Sequence, residues 1–298
     1  MAIRICVAGA TGWTGSAIVQ RILESPDFEL VGAIARHKAG VDIGEAIGQQ
    51  AAGIKIVGSF EEGLAASPQV LIDYTSPDSI KYRTLAALEA GVRVVIGTSG
   101  LTVVDFDEIE LKAQEKQLGV IAAGNFSITA ALAKHFALLA AKYLTSWEII
   151  DYASAGKKDA PSGTTLELAE ELGQIAQAKL ALPIEQTHGY KQARGATIGG
   201  SQVHSLRLPS YTIAFETIFG LPDERLTIRH DAGAGAEPYV GGTLLAAKKV
   251  MKLTGLTRGH GPPDFHGLMG KLCILQKQLV RLVSWWLRSR MAVILTKP

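Results

Sequence analysis

Three glycines near the start of the sequence have the spacing of a phosphate-binding turn. They follow an apolar, strand-like run and precede a helical pattern. Glycines in such a turn permit a tight bend and let the backbone approach a pyrophosphate, whose charge is favoured at a helix N-terminus. The position of the turn, between the first strand and the first helix, predicts a dinucleotide-binding site. The residues assigned to it are Gly9, Thr11, Gly12, Trp13, Thr14 and Gly15.

A basic segment follows the second predicted strand, where dinucleotide-binding proteins select between NAD and NADP. A site that prefers NAD usually has Asp or Glu here to accept the ribose hydroxyls. This chain has Arg36, His37 and Lys38 instead. Because a guanidinium pairs well with a phosphate, we expect Arg36 and His37 to contact a 2′-phosphate. NADPH is therefore the expected cofactor, in preference to NADH.

Small polar residues follow three later strand-like runs, in segments 73–77, 97–100 and 123–127. Open α/β sheets bind ligands at the carboxyl ends of their strands. We therefore expect these segments to line the cofactor, and segment 123–127 to act also as a hinge. The residues assigned are Thr75, Gly97, Thr98, Ser99, Asn125 and Phe126.

The elements that must position these residues alternate along the first 127 residues. Strands are predicted at 3–8, 30–35, 70–74, 92–96 and 119–122, and helices at 15–24, 80–90 and 106–117. Short apolar strands separated by helices predict a parallel sheet with crossover helices. The fold class is therefore α/β, with an N-terminal doubly wound Rossmann domain.

The pattern changes after residue 127. Helices are predicted at 130–143 and 162–180, strands at 147–152, 202–207, 212–218 and 225–229, and a final helix at 240–253. The later strands alternate with period two, which is typical of a half-exposed sheet. We predict a Rossmann domain of residues 1–127 plus about 240–258, and a second α+β domain of residues 128–239.

The composition narrows the class of protein. Hydrophobic residues make up 47% and charged residues 19%, with a formal net charge of +2, which favours a folded globular chain without nucleic-acid affinity. The cysteines, Cys6 and Cys273, offer no disulfide framework, and we expect no metal because no cluster has ligand spacing. We see no signal peptide or membrane span and expect a cytoplasmic protein.

The order of the motifs resembles that of the dihydrodipicolinate reductases. The matching stretches are the glycine turn, Asp-Tyr-Thr-Ser-Pro, Gly-Thr-Ser-Gly, Asn-Phe-Ser and, most specifically, Lys-Lys-Asp-Ala-Pro-Ser-Gly-Thr, which begins at Lys157. The resemblance implies a Rossmann domain and a mixed-sheet domain, residues 128–239 in this chain, that binds the substrate and builds a homotetramer. It also implies reduction of a cyclic imine dicarboxylate by NAD(P)H. The implied reaction converts 4-hydroxy-tetrahydrodipicolinate to tetrahydrodipicolinate in lysine and diaminopimelate biosynthesis.

The resemblance also implies roles for residues of the last motif. Lys157 is expected to be the catalytic cation, which supplies a proton or stabilises negative charge as hydride arrives. Ser162, Gly163 and Thr164 are expected to bind the substrate, because a helix that begins there presents N–H groups to a carboxylate.

Two places depart from the family pattern. The family usually has a His-His pair shortly before the lysine, where this chain has Ala153 and Ser154. An arginine is expected near Gly235 and is absent. Since alanine cannot transfer a proton, the source of the proton is open.

Three explanations for these departures remain. Lys157, helped by Tyr152 and water, can suffice; a histidine such as His188, His204 or His230 can act instead; or the substrate can be another imine. The alternatives to the implied reaction are accordingly a related imine reductase or amine dehydrogenase, and a non-catalytic NADPH-binding scaffold.

Residues 260–298 differ in character from the rest. Apolar positions mix with basic residues, and no acid follows Asp264. The pattern fits either a basic amphipathic helix that touches a membrane or a partner, or an appendage without catalytic role. The basic residues of this segment include Lys271, Lys277, Arg281, Arg288 and Arg290.

Overall fold

Two β-sheets with their covering helices make up the part of the chain that the computed structural model describes, residues 1–258. The strands are β1 (Ile3–Ala8), β2 (Phe28–Ile34), β3 (Ile56–Val57), β4 (Val70–Asp73), β5 (Arg93–Ile96), β6 (Gly119–Ala122), β7 (Trp147–Ala153), β8 (Ala196–Ile198), β9 (Ser201–Arg207), β10 (Ile213–Leu221), β11 (Glu224–Ala232) and β12 (Gly255–Arg258). The helices are α1 (Trp13–Glu24), α2 (Ile43–Ala46), α3 (Phe60–Ala65), α4 (Pro77–Glu89), α5 (Val103–Glu115), α6 (Ile128–Ala141), α7 (Gly163–Ile175) and α8 (Glu237–Val250).

The first sheet has seven strands in the order β12-β6-β5-β4-β1-β2-β3. Its paired strands all run parallel. The chain leaves β1 towards β2 on one side and later returns to β4 on the other. The carboxyl ends of β1 and β4 therefore flank a topological switch point, where doubly wound sheets bind ligands.

Apolar side chains on both faces of this sheet explain why it is buried between helices. Helices α1 and α8 pack on one face with Ile18, Val19 and Val250, and α4 and α5 pack on the other with Ile80 and Ile109. Strands covered on both faces are expected to be continuous apolar runs rather than alternating ones. This packing confirms the predicted Rossmann fold class.

The second sheet is mixed, with the strand order β11-β10-β7-β9-β8. Strands β7 and β9 run parallel, and the other neighbours are antiparallel. Helices α6 and α7 cover one face, where Trp147, Ile149 and Phe215 are buried with residues of both helices. The alternate residues point to the opposite face, on which the guanidinium of Arg229 lies 4.8 Å from the ring centre of Tyr152. No helix covers this open face within residues 1–258.

The structure corrects several predicted boundaries. Helix α7 ends at Ile175 rather than at residue 180, because the N–H groups of Ala178 and Lys179 turn to the carbonyls of Gly200 and Thr145, at 3.1 and 2.7 Å. Strand β12 was not predicted, and it extends the first sheet beside β6. The predicted tail at 260–298 lies outside the described residues.

Candidate active site

The glycine turn places a helix N-terminus at the switch point. Gly9 has φ +82°, and a Cβ there would lie 2.2 Å from the carbonyl oxygen of Tyr74, so only glycine fits. A Cβ on Gly15 would lie 2.0 Å from the carbonyl oxygen of Gly9. Gly12 caps α1 without a side chain, and no described group accepts from the N–H groups of Trp13 and Thr14. An anion such as a pyrophosphate fits this helix start, with Thr11 beside it.

The predicted residues of β4 and β5 lie next to the turn. A cavity of about 270 Å³ is lined by Gly12, Trp13, Thr14, Tyr74, Thr75, Pro77, Gly97, Thr98 and Ser99. Gly97 has a packing role as well, since a Cβ there would lie 2.2 Å from the Tyr74 ring. The structure therefore brings the glycine turn together with Thr75, Thr98 and Ser99, as the sequence predicts for strand ends at one edge.

A buried carboxylate that sequence reasoning missed holds these loops. Asp73 is fully buried and accepts hydrogen bonds from the hydroxyls of Thr75 and Thr98, at 2.6 and 3.0 Å. Arg83 on α4 forms an ion pair with it, Nε to Oδ2 2.7 Å, and also contacts Ser79 and Thr75. The hydroxyls of both threonines therefore already donate their protons within the protein, and towards a ligand they can only accept hydrogen bonds. An aspartate at the end of an apolar strand was the signal for this network.

The basic segment after β2 divides into two parts. The Nζ of Lys38 donates to the carbonyl oxygen of Ala46 at 2.8 Å, so this lysine fixes the loop. Arg36 and His37 are exposed, and within residues 1–258 neither has a hydrogen-bond or ion-pair partner. These two side chains are available to a ligand at the end of β2.

The end of β6 is linked to the start of α7. The side chain of Asn125 accepts from the N–H of Ser127 at 2.8 Å and donates to the hydroxyl of Thr164 at 3.3 Å. Phe126 is buried, with its ring centre 6.2 Å from that of Tyr74. Ser127 caps α6 by accepting from Ala130. Asn125 thus joins the carboxyl edge of the first sheet to the motif predicted to bind the substrate.

The start of α7 exposes backbone donors but not the Ser162 hydroxyl. Ser162 is fully buried, and its N–H and hydroxyl both donate to Asp151, at 3.0 and 2.6 Å. Gly163 is exposed, and no described group accepts from the N–H of Gly163 or Thr164. In this conformation Ser162 shapes the helix start, and the free N–H groups belong to the residues after it.

Lys157 lies in the loop before this helix start. Its Nζ is 2.8 Å from Asp159 Oδ1, and 29% of its side chain is exposed. Its N–H closes a turn onto the carbonyl of Ser154. The hydrogen bond from Lys157 lowers the pKa of Asp159. The lysine is thus a half-exposed cation with a carboxylate that an anionic ligand can replace.

Sequence reasoning also missed Asp151, which accepts the hydrogen bonds that hold the start of α7. It lies on β7, facing the core like Ile149, and its side chain is fully buried. Burial raises its pKa, but hydrogen bonds from Ser162 and Arg207 outweigh this effect and lower the pKa overall. The signal in the sequence was an acid at an inward position of an alternating strand.

The side chains proposed to replace the missing histidine pair have other contacts. Ala153 is buried and Ser154 exposed. His204 Nε2 lies 2.7 Å from Glu148 Oε2, and His230 Nε2 lies 3.0 Å from Thr129 Oγ1. Tyr152 lies against Tyr211 with ring centres 5.1 Å apart, and burial raises its pKa. His188 is exposed.

A cavity lies between the end of β5 and the start of α7. It has a volume of about 190 Å³ and is lined by Thr98 and Ser99 from the end of β5, by Gly124 after β6, and by Gly163 at the start of α7. Thr98 and Ser99, which are assigned to the cofactor, and Gly163, which is assigned to the substrate, therefore line the same cavity, whereas Lys157 does not line it.

A Rossmann sheet with a nucleotide-binding turn, opening onto a second sheet with a cationic loop, defines a dinucleotide-dependent oxidoreductase. The family models for the dihydrodipicolinate reductase N-terminus and C-terminus match residues 3–126 and 126–259. The chain therefore belongs to the dihydrodipicolinate reductase family.

Individual relatives agree with this assignment. A 4-hydroxy-tetrahydrodipicolinate reductase of Moorella thermoacetica is 39% identical over 261 residues, which are 86% of this chain and 96% of the relative. The dipicolinate-bound dihydrodipicolinate reductase from Paenisporosarcina sp. TG-14 superposes with a TM-score of 0.76 at 30% identity, covering 87% of this chain and 98% of that one.

A more distant structure shares the fold alone. The amine dehydrogenase from Mycobacterium smegmatis has a TM-score of 0.61 at 15% identity, covering 86% of this chain and 95% of that one. It gives no support to the amine dehydrogenase alternative. Among the described residues, no helix is long and apolar enough to cross a membrane.

Proposed function

We propose that the protein uses NADPH to reduce 4-hydroxy-tetrahydrodipicolinate, a cyclic imine dicarboxylate, to tetrahydrodipicolinate. Family membership and the reaction for which the Moorella relative is named support this proposal. The observation that carries it is the cavity shared by Thr98, Ser99 and Gly163. It supports the proposal because it is lined both by residues expected to contact the hydride donor and by a residue expected to contact the dicarboxylate.

The substrate's carboxylates are bound by Lys157 and the start of α7 in this proposal. The free N–H groups of Gly163 and Thr164 lie at a helix N-terminus, which favours negative charge. Lys157 adds a full positive charge in the adjoining loop, and a carboxylate of the substrate replaces Asp159 beside it. Ser162 contributes indirectly, because its donors fix the helix start through Asp151.

The proposed conversion removes the 4-hydroxyl of the substrate as water, which leaves a conjugated imine, and then adds a hydride and a proton to that conjugated system. When bound at the glycine turn, NADPH supplies the hydride, and the protein orients the reactants. Hydride adds at the carbon that carried the hydroxyl, and Lys157 stabilises the negative charge that develops on the conjugated nitrogen and delivers a proton to it. The resulting enamine tautomerises to tetrahydrodipicolinate, which keeps one C=N bond. Since Ala153 and Ser154 replace the histidine pair, water restores the proton on Lys157.

The preference for NADPH over NADH rests on the loop after β2. Arg36 and His37 are exposed and unpaired among the described residues, whereas Lys38 is held by Ala46. A guanidinium and a phosphate form short, charge-assisted hydrogen bonds. We propose that Arg36 and His37 bind the 2′-phosphate.

The proposed division into domains, and the proposed movement between them, are supported by the places where the chain crosses between the two sheets. We propose a cofactor domain of residues 1–127 plus about 240–258 and a substrate domain of residues 128–239. The packing of α8 against α1 and the pairing of β12 with β6 support the return of the chain to the first domain. Closure at Asn125 would exclude water from the site.

The open face of the second sheet is our proposed interface in a homotetramer. It carries Ile150, Ile218 and Leu206, and it has no cover within residues 1–258. We also propose a cytoplasmic location, where the cofactor NADPH is supplied and where reduced cysteines such as Cys6 are usual.

A coupled assay tests the reaction. 4-Hydroxy-tetrahydrodipicolinate is generated in situ, and the absorbance of NADPH is followed with the purified full-length chain. We expect NADPH oxidation that depends on the dicarboxylate, and slower oxidation of NADH. NADPH binding without substrate-dependent oxidation would contradict the proposed reaction and leave only the fold and the cofactor site.

A further inference from the structure

Arg207 on β9 connects the loop that carries Lys157 to the carboxylate beneath the start of α7. Its Nη2 donates to Asp151 Oδ2 at 2.8 Å and to the carbonyl oxygen of Asp159 at 2.6 Å. Only 16% of its side chain is exposed, and Asp151 is fully buried. One guanidinium therefore contacts both the carboxylate beneath the helix start and the backbone of the loop that carries Lys157.

The carboxylate of Asp151 collects donors from the surrounding elements. Besides Arg207, it accepts from Ser162, from the hydroxyl of Thr165 at 2.9 Å and from the hydroxyl of Ser205 at 3.1 Å. Ser162 and Thr165 belong to the start of α7, whereas Ser205 belongs to β9. The helix start is therefore fixed by Asp151, and Asp151 is neutralised by Arg207.

The loop has few other attachments. Among the described residues, Lys157 contacts only the carbonyl of Ser154 and the carboxylate of Asp159, which both lie within the loop. The hydrogen bond from Arg207 to the carbonyl of Asp159 is thus the one that ties this loop to the sheet. Without it, the ammonium of Lys157 has no fixed distance from the N–H groups of Gly163 and Thr164.

We propose that Arg207 is a positioning residue that holds the Lys157 loop and the start of α7 at the separation needed to bind a dicarboxylate. It acts through Asp151 and Asp159 without touching the substrate. The inference rests on the proposed function, because it takes the same loop and helix start as the substrate site. It adds a cation to the site that neither the glycine turn nor the Lys-Lys-Asp-Ala-Pro-Ser-Gly-Thr motif contains.

The test compares three variants in the full-length chain. Arg207→Met removes both hydrogen bonds, which the same nitrogen, Nη2, donates. Arg207→Lys keeps a positive charge, but its side chain is shorter, so its ammonium does not reach the position of Nη2 between the two acceptors. Ser205→Ala is the matched control, because it removes one donor to Asp151 and leaves the loop contact intact. The measurements are the dissociation constant of pyridine-2,6-dicarboxylate with NADPH bound, kcat and KM, the dissociation constant of NADPH, and Tm.

We expect Arg207→Met to weaken pyridine-2,6-dicarboxylate binding by about tenfold to a hundredfold, because misplaced binding groups lose that much. Arg207→Lys should lie between wild type and Arg207→Met. Ser205→Ala should change binding by less than about twofold, even where it lowers Tm. The dissociation constant of NADPH should stay unchanged in all three variants.

Equal effects of Arg207→Met and Ser205→Ala on dicarboxylate binding, after matching for Tm, would overturn the inference in favour of a purely structural role. Unchanged binding in Arg207→Lys would overturn it if Arg207→Met does not fold. Failure of the proposed function looks different, since the wild-type chain would then bind NADPH without oxidising it on addition of the imine. The dicarboxylate titration decides on Arg207 in either case.

Discussion

Arg36 is the residue on which cofactor preference is expected to depend. It is exposed at the end of β2 and has no partner among the described residues. Its guanidinium can therefore donate two parallel hydrogen bonds to a 2′-phosphate. A charged hydrogen bond contributes about 1.5–3 kcal/mol. Arg36→Ala should therefore raise KM for NADPH by at least about tenfold and leave KM for NADH unchanged.

Lys55→Ala is a suitable control for Arg36→Ala. Lys55 is an exposed basic residue of the same half of the chain, so its loss changes the net charge equally. Steady-state kinetics with both nucleotides separate the two effects. An equal rise of KM for NADPH and NADH in Arg36→Ala would remove Arg36 from the 2′-phosphate site.

At the scale of residues, the sequence predicts which groups contact a ligand, and that prediction remains to be tested, but it missed the buried groups that hold their loops. The glycine turn, Arg36 and Lys157 stand in short motifs whose chemistry is local. Asp151 and Arg207 are 56 positions apart, and only the pairing of β7 with β9 brings them together. For the same reason, the sequence could not show that the hydroxyl of Ser162 donates its hydrogen bond to Asp151 rather than to a ligand.

His230 links two elements of the second half, and its contacts predict a pH dependence of stability. It lies on β11, and its Nε2 is 3.0 Å from Thr129 Oγ1 and 3.4 Å from Ser127 Oγ at the start of α6. Burial lowers the pKa of His230 below its ordinary value of 6.5. Asp231, its neighbour on the strand, opposes this shift.

The sign of the effect follows from proton binding. Above pH 6.5 the imidazole is neutral in both the folded and the unfolded chain, and it adds no pH dependence. Below that value the unfolded chain takes up the proton more readily than the folded chain, so the free energy of unfolding decreases as the pH decreases. The slope contributed by one histidine is at most about 1.4 kcal/mol per pH unit.

Urea unfolding at several pH values between about 5 and 7.5 measures this slope, across the ordinary pKa of histidine. His230→Asn should flatten the dependence, because the titrating group is gone. His188→Asn is the control, since His188 is exposed, and it should leave the slope as in the wild-type chain. A slope that His230→Asn does not change would show that another group titrates.

Elements with strong periodicity could be predicted from the sequence, and their ends could not. Strands β1 and β6 have the predicted bounds, because apolar β-branched runs end at turn residues there. Helix α7 stops earlier than predicted because the N–H groups of Ala178 and Lys179, which a longer helix would use, donate to Gly200 and Thr145 instead. Strand β12 has only four residues, and pairing with β6 rather than its own pattern places it in the sheet.

At the scale of the whole molecule, the open face of the second sheet predicts assembly. Ile150 lies on it opposite Glu216 and His204 of the adjacent strands, and Ile218 lies opposite Glu148. Ile150→Lys should break a homotetramer into smaller species, because it replaces an apolar side chain of the proposed interface with a charged one. Val104→Lys on α5 is the control, since Val104 is 70% exposed and lies on the first half of the chain.

Light scattering coupled to size exclusion gives the mass of each species. The wild-type chain and Val104→Lys should have the mass of a tetramer, and Ile150→Lys a smaller one. A monomeric wild-type chain would contradict the proposed assembly without touching the proposed reaction. The sequence predicts an exposed face from the alternation of β9 and β10, but it does not say which elements leave that face open.

The central claim is that Lys157 and the start of α7 act together on a substrate held beside the cofactor. Lys157→Ala and Lys158→Ala test it most directly, because the two lysines are neighbours and only Lys157 is paired with Asp159. The rate of NADPH oxidation is measured with the imine generated in situ, and NADPH binding by fluorescence. We predict that Lys157→Ala lowers kcat/KM by about a hundredfold or more with unchanged NADPH binding, and that Lys158→Ala stays near the wild-type rate. Equal rates for the two variants would contradict the account.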